Sequence, residues 1–579
     1  MRKIYFSILI LIALSLNAIS QTGTEFWFAP PNVTDDHHPS DSTKVFITFT
    51  CLDTAADVTI SQPANPAFTP ITFSMAANSY HREDMHTVVH MMETKPTNTV
   101  LNTGLLIQAT HRVSVYYEYD NHNNPDIFAL KGKNALGNEF YIPLHNYAPF
   151  HNHVFSDTAY ASFDIVATEN NTNVRIYPPR DVNGHPGLQQ FTITLNRGQT
   201  YSCAWTGANY DQPSTHPYGT AVVSDKPIAI SIKDDSDHNP SGGCYDLMGD
   251  QIVPVDILGQ EYIVVQGQLN GGESIFILAT QNNTEVYING SSTPVANLFA
   301  GETFRYDITG AGHERTYVYA TNPIYVTHVT GFGCEEGVAV LPSLNCAGSE
   351  RVSFSRSTNE GFFLTLLVKN GSQGDFVMTP SSAVIDSTLF DTVPGTGGVW
   401  VAAIQQFNTT EIPVGTAFSL TNSSNIFAMG IINGGSTSGC RYGYFSEFVS
   451  DINVDAGPDQ TICANSFAQL SGSVSGGVTT GQWSTSGSGS FSNPDDLNAT
   501  YTPSYTDQMN GSVTLTLTST GMCFPTTDQM TLTFDPAPSV DAGPDQSVCS
   551  NNPDVTLNGS VTVATGGIWS GGSGTFSPN

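Results

Sequence analysis

The stretch FDIVATENNTNVRI, residues 163–176, sets apolar runs on either side of an Asn-Asn-Thr tip. Alternation of period two marks a strand with one buried face, and Asn tolerates the positive φ of a tight turn. The stretch therefore reads as a β-hairpin. Three others read the same way: FITFTCLDTAADVTI (46–60), FILATQNNTEVYI (276–288) and FLTLLVKNGSQGDFVM (363–378).

Working outward, each hairpin keeps the same company. A motif G-x-E precedes it, as GTEFWF (23–28), GNEFYI (137–142), GQEYIV (259–264) and GSERVS (348–353). A turn opening a strand follows it: AANSY (76–80), RGQTY (197–201), AGETF (300–304) and VGTAF (414–418). A strand led in by a polar turn comes last: ATHRVSV (109–115), SDKPIAI (224–230), ATNPIYV (320–326) and NSSNIFAM (422–429). The shared order predicts four divergent β-repeats, at about 21–133, 134–253, 254–345 and 346–450, each of several strands. Two arrangements fit: four β-sandwich-like units in a row, or a closed ring resembling a β-propeller.

The composition agrees with an all-β chain. Of 579 residues, 52 are Gly and 33 Pro, and only 12% are charged, which favours short strands and tight turns over helices. The formal net charge of −32 opposes binding to the phosphates of a nucleic acid or to an anionic membrane surface.

Residues 454–460, VDAGPDQ, return as 540–546, and Cys463 and Trp483 return as Cys549 and Trp569. Two copies of one module follow, 451–536 and 537–579, the second reading as cut short in a fragment of a longer protein. The alternating runs SVTLTLTS (512–519) and QMTLTFD (529–535) suit a β-sandwich. The aspartates of VDAGPDQ (Asp455, Asp459, Asp541, Asp545) read as turn formers.

Residues 1–20 open with Arg2 and Lys3, continue with an apolar run, and end on small residues Ala18 and Ser20, the pattern of a secretory signal peptide. A secreted or cell-surface location follows, with no transmembrane helix in the mature chain. The nine cysteines are then disulfide candidates. Cys463 and Cys523 are the only two in the first module and are expected to pair. Cys51, Cys203, Cys244, Cys334, Cys346 and Cys440 allow 15 connectivities. One of them joins Cys51 to Cys440, which favours a ring, and leaves Cys203–Cys244 and Cys334–Cys346 as local pairs.

Two clusters carry metal-ligating chemistry. HREDMHTVVH (81–90) spaces His86 and His90 four apart, a metal-binding pattern on a helix, with His37, His38, His151 and His153 as further donors. Asp234, Asp235 and Asp237 in KDDSDHNPSGG suit calcium if that stretch is an extracellular loop. No other cofactor is suggested. The chain lacks G-x-S-x-G, a Walker A loop and H-E-x-x-H, so no catalytic residue is assigned. Trp27 and the pair Tyr116-Tyr117 are candidates for a sugar platform, against core packing as the plainer reading.

The opening QTGTEFWFAPPNVT, the repeated G-x-E-F, the A-T-x-N-x-T-x-V hairpins and SDKPIAI together resemble the IgGFc-binding protein N-terminal domain family in its bacterial form, over roughly 21–450. The VDAGPDQ-x-x-C modules resemble the PKD-like or Ig-like repeats of large surface proteins of the Bacteroidota. The resemblance implies an exported adhesion protein whose partner is an extracellular glycoprotein or glycan, immunoglobulin or mucin in type. The expected function is thus non-catalytic recognition by residues 21–450 in front of a stalk of modules. Two alternatives stand beside it: a secreted hydrolase on the β-repeat scaffold, metal-assisted through the histidines, and a structural matrix or coat protein.

Overall fold

The computed structural model describes residues 22–33, 45–120, 124–143, 160–205, 216–238, 244–310, 314–344, 347–448, 452–464, 466–475, 478–520, 526–536 and 538–577. The stretch 1–20 read as a signal peptide, Cys346, Cys523 and His37, His38, His151 and His153 lie outside the described residues. The chain divides into two compact units, Met1–Asp451 and Ile452–Asn579. Both are all-β.

In the larger unit, one strand plan recurs four times. The first copy is built on the long strand Leu105–Tyr119. Its first part runs between Thr22–Phe28 and Ala56–Ser61, with Leu106 opposite both Trp27 and Ser61. Its second part runs between Val45–Cys51 and Asp126–Ala129. The polar quartet ATHR (109–112) marks the bend, so a single strand serves two sheets. Inward side chains of the two sheets, among them Phe26, Phe28, Phe49, Val58 and Tyr117, form one core. Burying each such side chain contributes roughly 1.5–3 kcal/mol.

The second copy uses Ala221–His238, which bends at SDKP (224–227), between Gly137–Tyr141 and Thr172–Tyr177 first, then between Ser162–Ala167 and Tyr245–Gln251. In the third and fourth copies the bend interrupts the strand. Arg315–Ala320 gives way to Ile324–Gly333, and Phe418–Asn422 to Phe427–Gly435. Pro227 and Pro323 stand at these bends, where a missing ladder N–H costs least. These four copies are called units I to IV below.

The last strand of each copy faces the same axis: Asp126–Ala129, Tyr245–Gln251, Glu335–Val340 and Gly439–Tyr444. The first packs against the second, the second against the third, the third against the fourth, and the fourth against the first. The two arrangements left open by the sequence are therefore combined. Each unit is a two-sheet sandwich, and four sandwiches close into a ring.

Three sequence expectations change. The four stretches read as β-hairpins are not hairpins. Ser162–Ala167 pairs with Thr200–Ala204 and the second part of Ala221–His238, whereas Thr172–Tyr177 pairs with Phe191–Leu195 and its first part. The Asn-Asn-Thr turn thus carries the chain from one half-sheet to the other, and the other three stretches do the same. The turn VGTAF (414–418) is not the fourth counterpart of AANSY, because Phe418 begins the bent strand. The strand that pairs with Gly361–Lys369, as Tyr80–Asp84 pairs with Val45–Cys51 in unit I, is Trp400–Gln406 at TGGVW (396–400). The pairings Cys203–Cys244 and Cys334–Cys346 are replaced by Cys244–Cys334. These two stand directly before neighbouring axial strands, so the ring brings together cysteines 90 residues apart. Cys51, Cys203 and Cys440 are buried free thiols, and the ring closes without a Cys51–Cys440 bridge.

The smaller unit has its own core, with Trp483, Tyr501, Leu515, Leu517 and Leu532 at its centre. Strands Thr480–Thr485, Ser512–Thr520 and Thr527–Asp535 make its main sheet. Asp455 accepts the Gly457 amide at 2.8 Å, and its repeat Asp541 accepts that of Gly543 at 2.9 Å, the turn role expected. No helix among the described residues is long and apolar enough to cross a membrane.

Candidate functional site at the junctions of the ring

The axial strands carry buried acids, and each seam of the ring uses at least one polar contact. Between units I and II, Asp126 accepts the Gly249 amide at 2.7 Å, and Lys131 Nζ pairs with Asp250 Oδ1 at 2.6 Å. Between II and III, Asp246 and Asp250 accept the amides of Glu336 and Val340. Between III and IV, His328 Nδ1 lies 2.9 Å from the Tyr442 hydroxyl, while its Nε2 lies 2.8 Å from Glu273. Between IV and I, Arg441 reaches Glu118 and Asp120. Burial pushes the Asp126 carboxyl well above its ordinary value. Burial and then the neighbouring Glu335 do the same to Asp246. Lys131 is held below the usual lysine range by burial, against the pull of Asp250. These groups are joints between units.

The acidic cluster of the sequence belongs to this interior and not to a loop. Asp234 and Asp235 are fully buried in the bent strand of unit II. Asp234 pairs with His216 at 2.8 Å, and Asp235 lies 3.4 Å from Lys233 Nζ. Asp237 pairs through its backbone with Asp246. A run of polar residues resembles a loop until its partners are known, and those partners come from the folded interior.

The histidine pattern also meets a different backbone. The only helix in 81–92 is Val89–Met92, so His86 and His90 do not share a helical face. His86 Nδ1 lies 2.7 Å from Asp84, and both histidines are exposed. Among the described residues, the one group that brings three ligand-type atoms within 4.8 Å is Cys244, Cys334 and Glu335. Its two sulfurs are bonded to each other, whereas a metal ligand is a thiolate. Trp27, Tyr116 and Tyr117 are all at most 2% exposed and offer no surface platform.

The outward face of each unit shows what the sequence reading passed over. The outer half-sheet carries a row of three side chains at its edge, beside the next unit. In unit I the row is Trp27, Leu106 and Ser61. In unit II it is Tyr141, Ala221 and Tyr177. In unit III it begins Ile263, Tyr317, with Asn289 bonded to the Tyr317 backbone. In unit IV it is Ser353, Ser419 and Thr379.

Two of these junctions are filled by the chain itself. At I/II, Trp27 and Leu106 are each 2% exposed, and the Arg197 guanidinium lies 5.1 Å from the Trp27 ring centre. At III/IV, Ile263 is buried and Arg315 Nε donates to the Ala402 carbonyl at 3.2 Å. Among the described residues the other two remain open, on alternate corners of the ring. The II/III groove has a volume of about 490 Å³ and is lined by Tyr141, Tyr177, Ala221, Glu139, Leu188 and Ala300. The IV/I pocket measures about 340 Å³ and is lined by Cys51, Asn78, Ser353, Ser419, Pro380 and Phe418 among others.

The II/III wall depends on two glycines in contact. Gly219 and Gly301 have φ of +76° and +82°, and a Cβ on Gly219 would meet the Gly301 carbonyl oxygen at 2.2 Å. Tyr177 is 39% exposed and Leu188 88%. Burial, then Glu139, raises the Tyr141 phenol above its ordinary value. Comparing the position two after the Glu of each G-x-E motif would have found Trp27, Tyr141 and Ile263, but in unit IV that position is the core residue Val352, and Ser353 follows it by one.

A family model described as IgGFc binding protein matches residues 127–432. That span runs from the first axial strand into the bent strand of unit IV. No curated protein matches the chain. Among solved structures, trypsin-activated α2-macroglobulin from Escherichia coli is similar at 10% identity and a TM-score of 0.13, covering 91% of this chain and 43% of that one. Salmonella α2-macroglobulin reacted with methylamine gives 10% identity and a TM-score of 0.14, covering 90% and 40%. Drosophila N-cadherin EC1-4 gives 11% and 0.13, covering 64% and 93%. The chain spans less than half the length of the two macroglobulins.

Proposed function

This chain belongs to the IgGFc binding protein family, and on that premise we propose that it is a secreted, cell-surface adhesion protein that binds an extracellular glycoprotein or glycan without catalysis. The four-unit ring is the recognition head, and the Ile452–Asn579 unit is a spacer. The observation that carries this reading is the II/III groove. Its position in the plan is filled at I/II and III/IV by side chains of the chain, yet here it is left open with two tyrosines on its walls. Exposed aromatic residues on a rigid β-scaffold are a common way to gain contact area at low entropy cost. The charged residues of the axis support the reading from the other side, because they are engaged in joining units.

The test is a surface-binding assay of the oxidised full chain against immunoglobulin Fc, mucin and a glycan panel, with the separate 452–536 module as control. Saturable binding by the chain and none by the module is the expected result. Equal binding by both, or none by either, contradicts the assignment of recognition to the ring.

A further inference from the structure

We propose that the II/III groove is a saccharide site that takes one neutral pyranose ring edge-on between Tyr141 and Tyr177. This rests on the recognition reading above and names the ligand class of that site. The two tyrosines stand on the strands flanking Ala221 and share its face of the sheet. Neighbouring strands lie about 4.8 Å apart, so the two tyrosine backbones are separated by roughly 10 Å. A flat ring touching an aromatic face on each side needs about 7–8 Å, twice the usual carbon–carbon contact of ~3.5–4 Å. That backbone spacing suits one ring between the two side chains.

Its floor decides whether it is open. Ala221 occupies the position that Leu106 fills in unit I and Tyr317 in unit III. In unit I, Trp27, the counterpart of Tyr141, is packed beneath Arg197 and against Leu106, whereas Tyr141 stands beside the smaller Ala221.

The polar groups select the ligand further. Glu139 pairs with Val223 in the next row of the same sheet and lines the groove. A carboxylate there accepts hydrogen bonds from sugar hydroxyls and repels an acidic sugar. Tyr141 and Tyr177 offer ring faces to C–H groups and phenols to hydroxyls. The chain's net charge of −32 acts in the same direction, against sialylated or uronic sugars.

The experiment is saturation-transfer NMR and tyrosine-fluorescence titration of the full chain with methyl pyranosides of glucose, galactose, mannose, fucose and N-acetylglucosamine. Glucuronic acid and N-acetylneuraminic acid serve as charged probes. At least one neutral pyranoside is expected to bind, and both acidic sugars to bind at least about tenfold more weakly. Y141A and Y177A are each expected to weaken binding about tenfold. A221L, which copies the floor of unit I, is expected to abolish binding while leaving the unfolding transition in place.

A sugar that binds A221L as well as the natural chain overturns the site. So does a groove that binds no pyranoside while glycoprotein binding by the chain stays intact, in which case the recognition reading survives and the ligand class falls. Loss of binding to both sugars and glycoproteins in the natural chain removes the recognition reading itself.

Discussion

Arg441 Nε lies 2.8 Å from Glu118 Oε1, joining the axial strand of unit IV to the bent strand of unit I across 323 residues of sequence. Both side chains are almost fully buried, and Arg82 shares the same carboxylate. This pair is where the last unit meets the first.

Removing Arg441 leaves the buried Glu118 carboxylate with only Arg82, and breaking a buried pair typically costs about 3–5 kcal/mol. R441A is expected to lower the unfolding free energy of the larger unit by an amount in that range, read as a lower urea midpoint at unchanged slope. The double variant R441M/E118L is expected to recover much of the loss, because no orphaned charge remains. Urea unfolding followed by tryptophan fluorescence measures both, and an R441A midpoint equal to that of the natural chain contradicts the seam.

The acid Asp164 predicts how stability changes with pH. Burial raises its carboxyl from 3.8 to about 7, despite hydrogen bonds and Lys233 that pull it down. A group whose folded-state value is raised binds its proton more tightly in the folded chain. Its stabilising contribution is thus complete below about pH 4 and is lost as the pH rises towards 7. The natural chain is expected to lose thermal stability over that window relative to D164N, which cannot titrate there. Melting curves of both from pH 4 to 8 check this, and a difference independent of pH refutes it.

The Cys244–Cys334 bridge closes a loop spanning 90 residues, worth about 4–5 kcal/mol in the chain-entropy model. Non-reducing peptide mapping is expected to find this pair, and to find Cys51, Cys203 and Cys440 alkylated only after denaturation, because all three thiols are buried. Recovery of a Cys203–Cys244 peptide instead sinks the assignment.

Leu106 fills the slot in unit I that Ala221 leaves open in unit II. L106A is expected to cost about 2–5 kcal/mol by leaving a cavity under Trp27. A221L, facing solvent, is expected to cost little. If the two substitutions have equal effects on the thermal midpoint, the contrast between filled and open junctions is wrong.

Much of this plan is legible in the sequence because it is local. The strands of the four opening stretches, the G-x-E motifs and the polar bends ATHR, SDKP and ATNP all fall at those positions. The hairpin pairing does not, because the two strands of each stretch pair with other strands and not with each other. Their signals, period-two alternation and turn residues, come from near neighbours in sequence. What the sequence hides depends on partners far away. VGTAF looks like AANSY because both are turns leading to an aromatic residue, and only strand pairing tells them apart. Asp234 and Asp235 read as a loop because His216 and the fold around them are not visible locally. The Tyr141–Ala221–Tyr177 row draws its members from three separate strands, and it exists only through register. The spacing of His86 and His90 suggests a helical face, but the helix begins at Val89.

The most direct test of the account is binding of the oxidised full chain to a mucin-type glycoprotein before and after enzymatic removal of its glycans. The account predicts saturable binding to the intact glycoprotein and its loss on deglycosylation. Binding unchanged by deglycosylation would contradict recognition through the sugar.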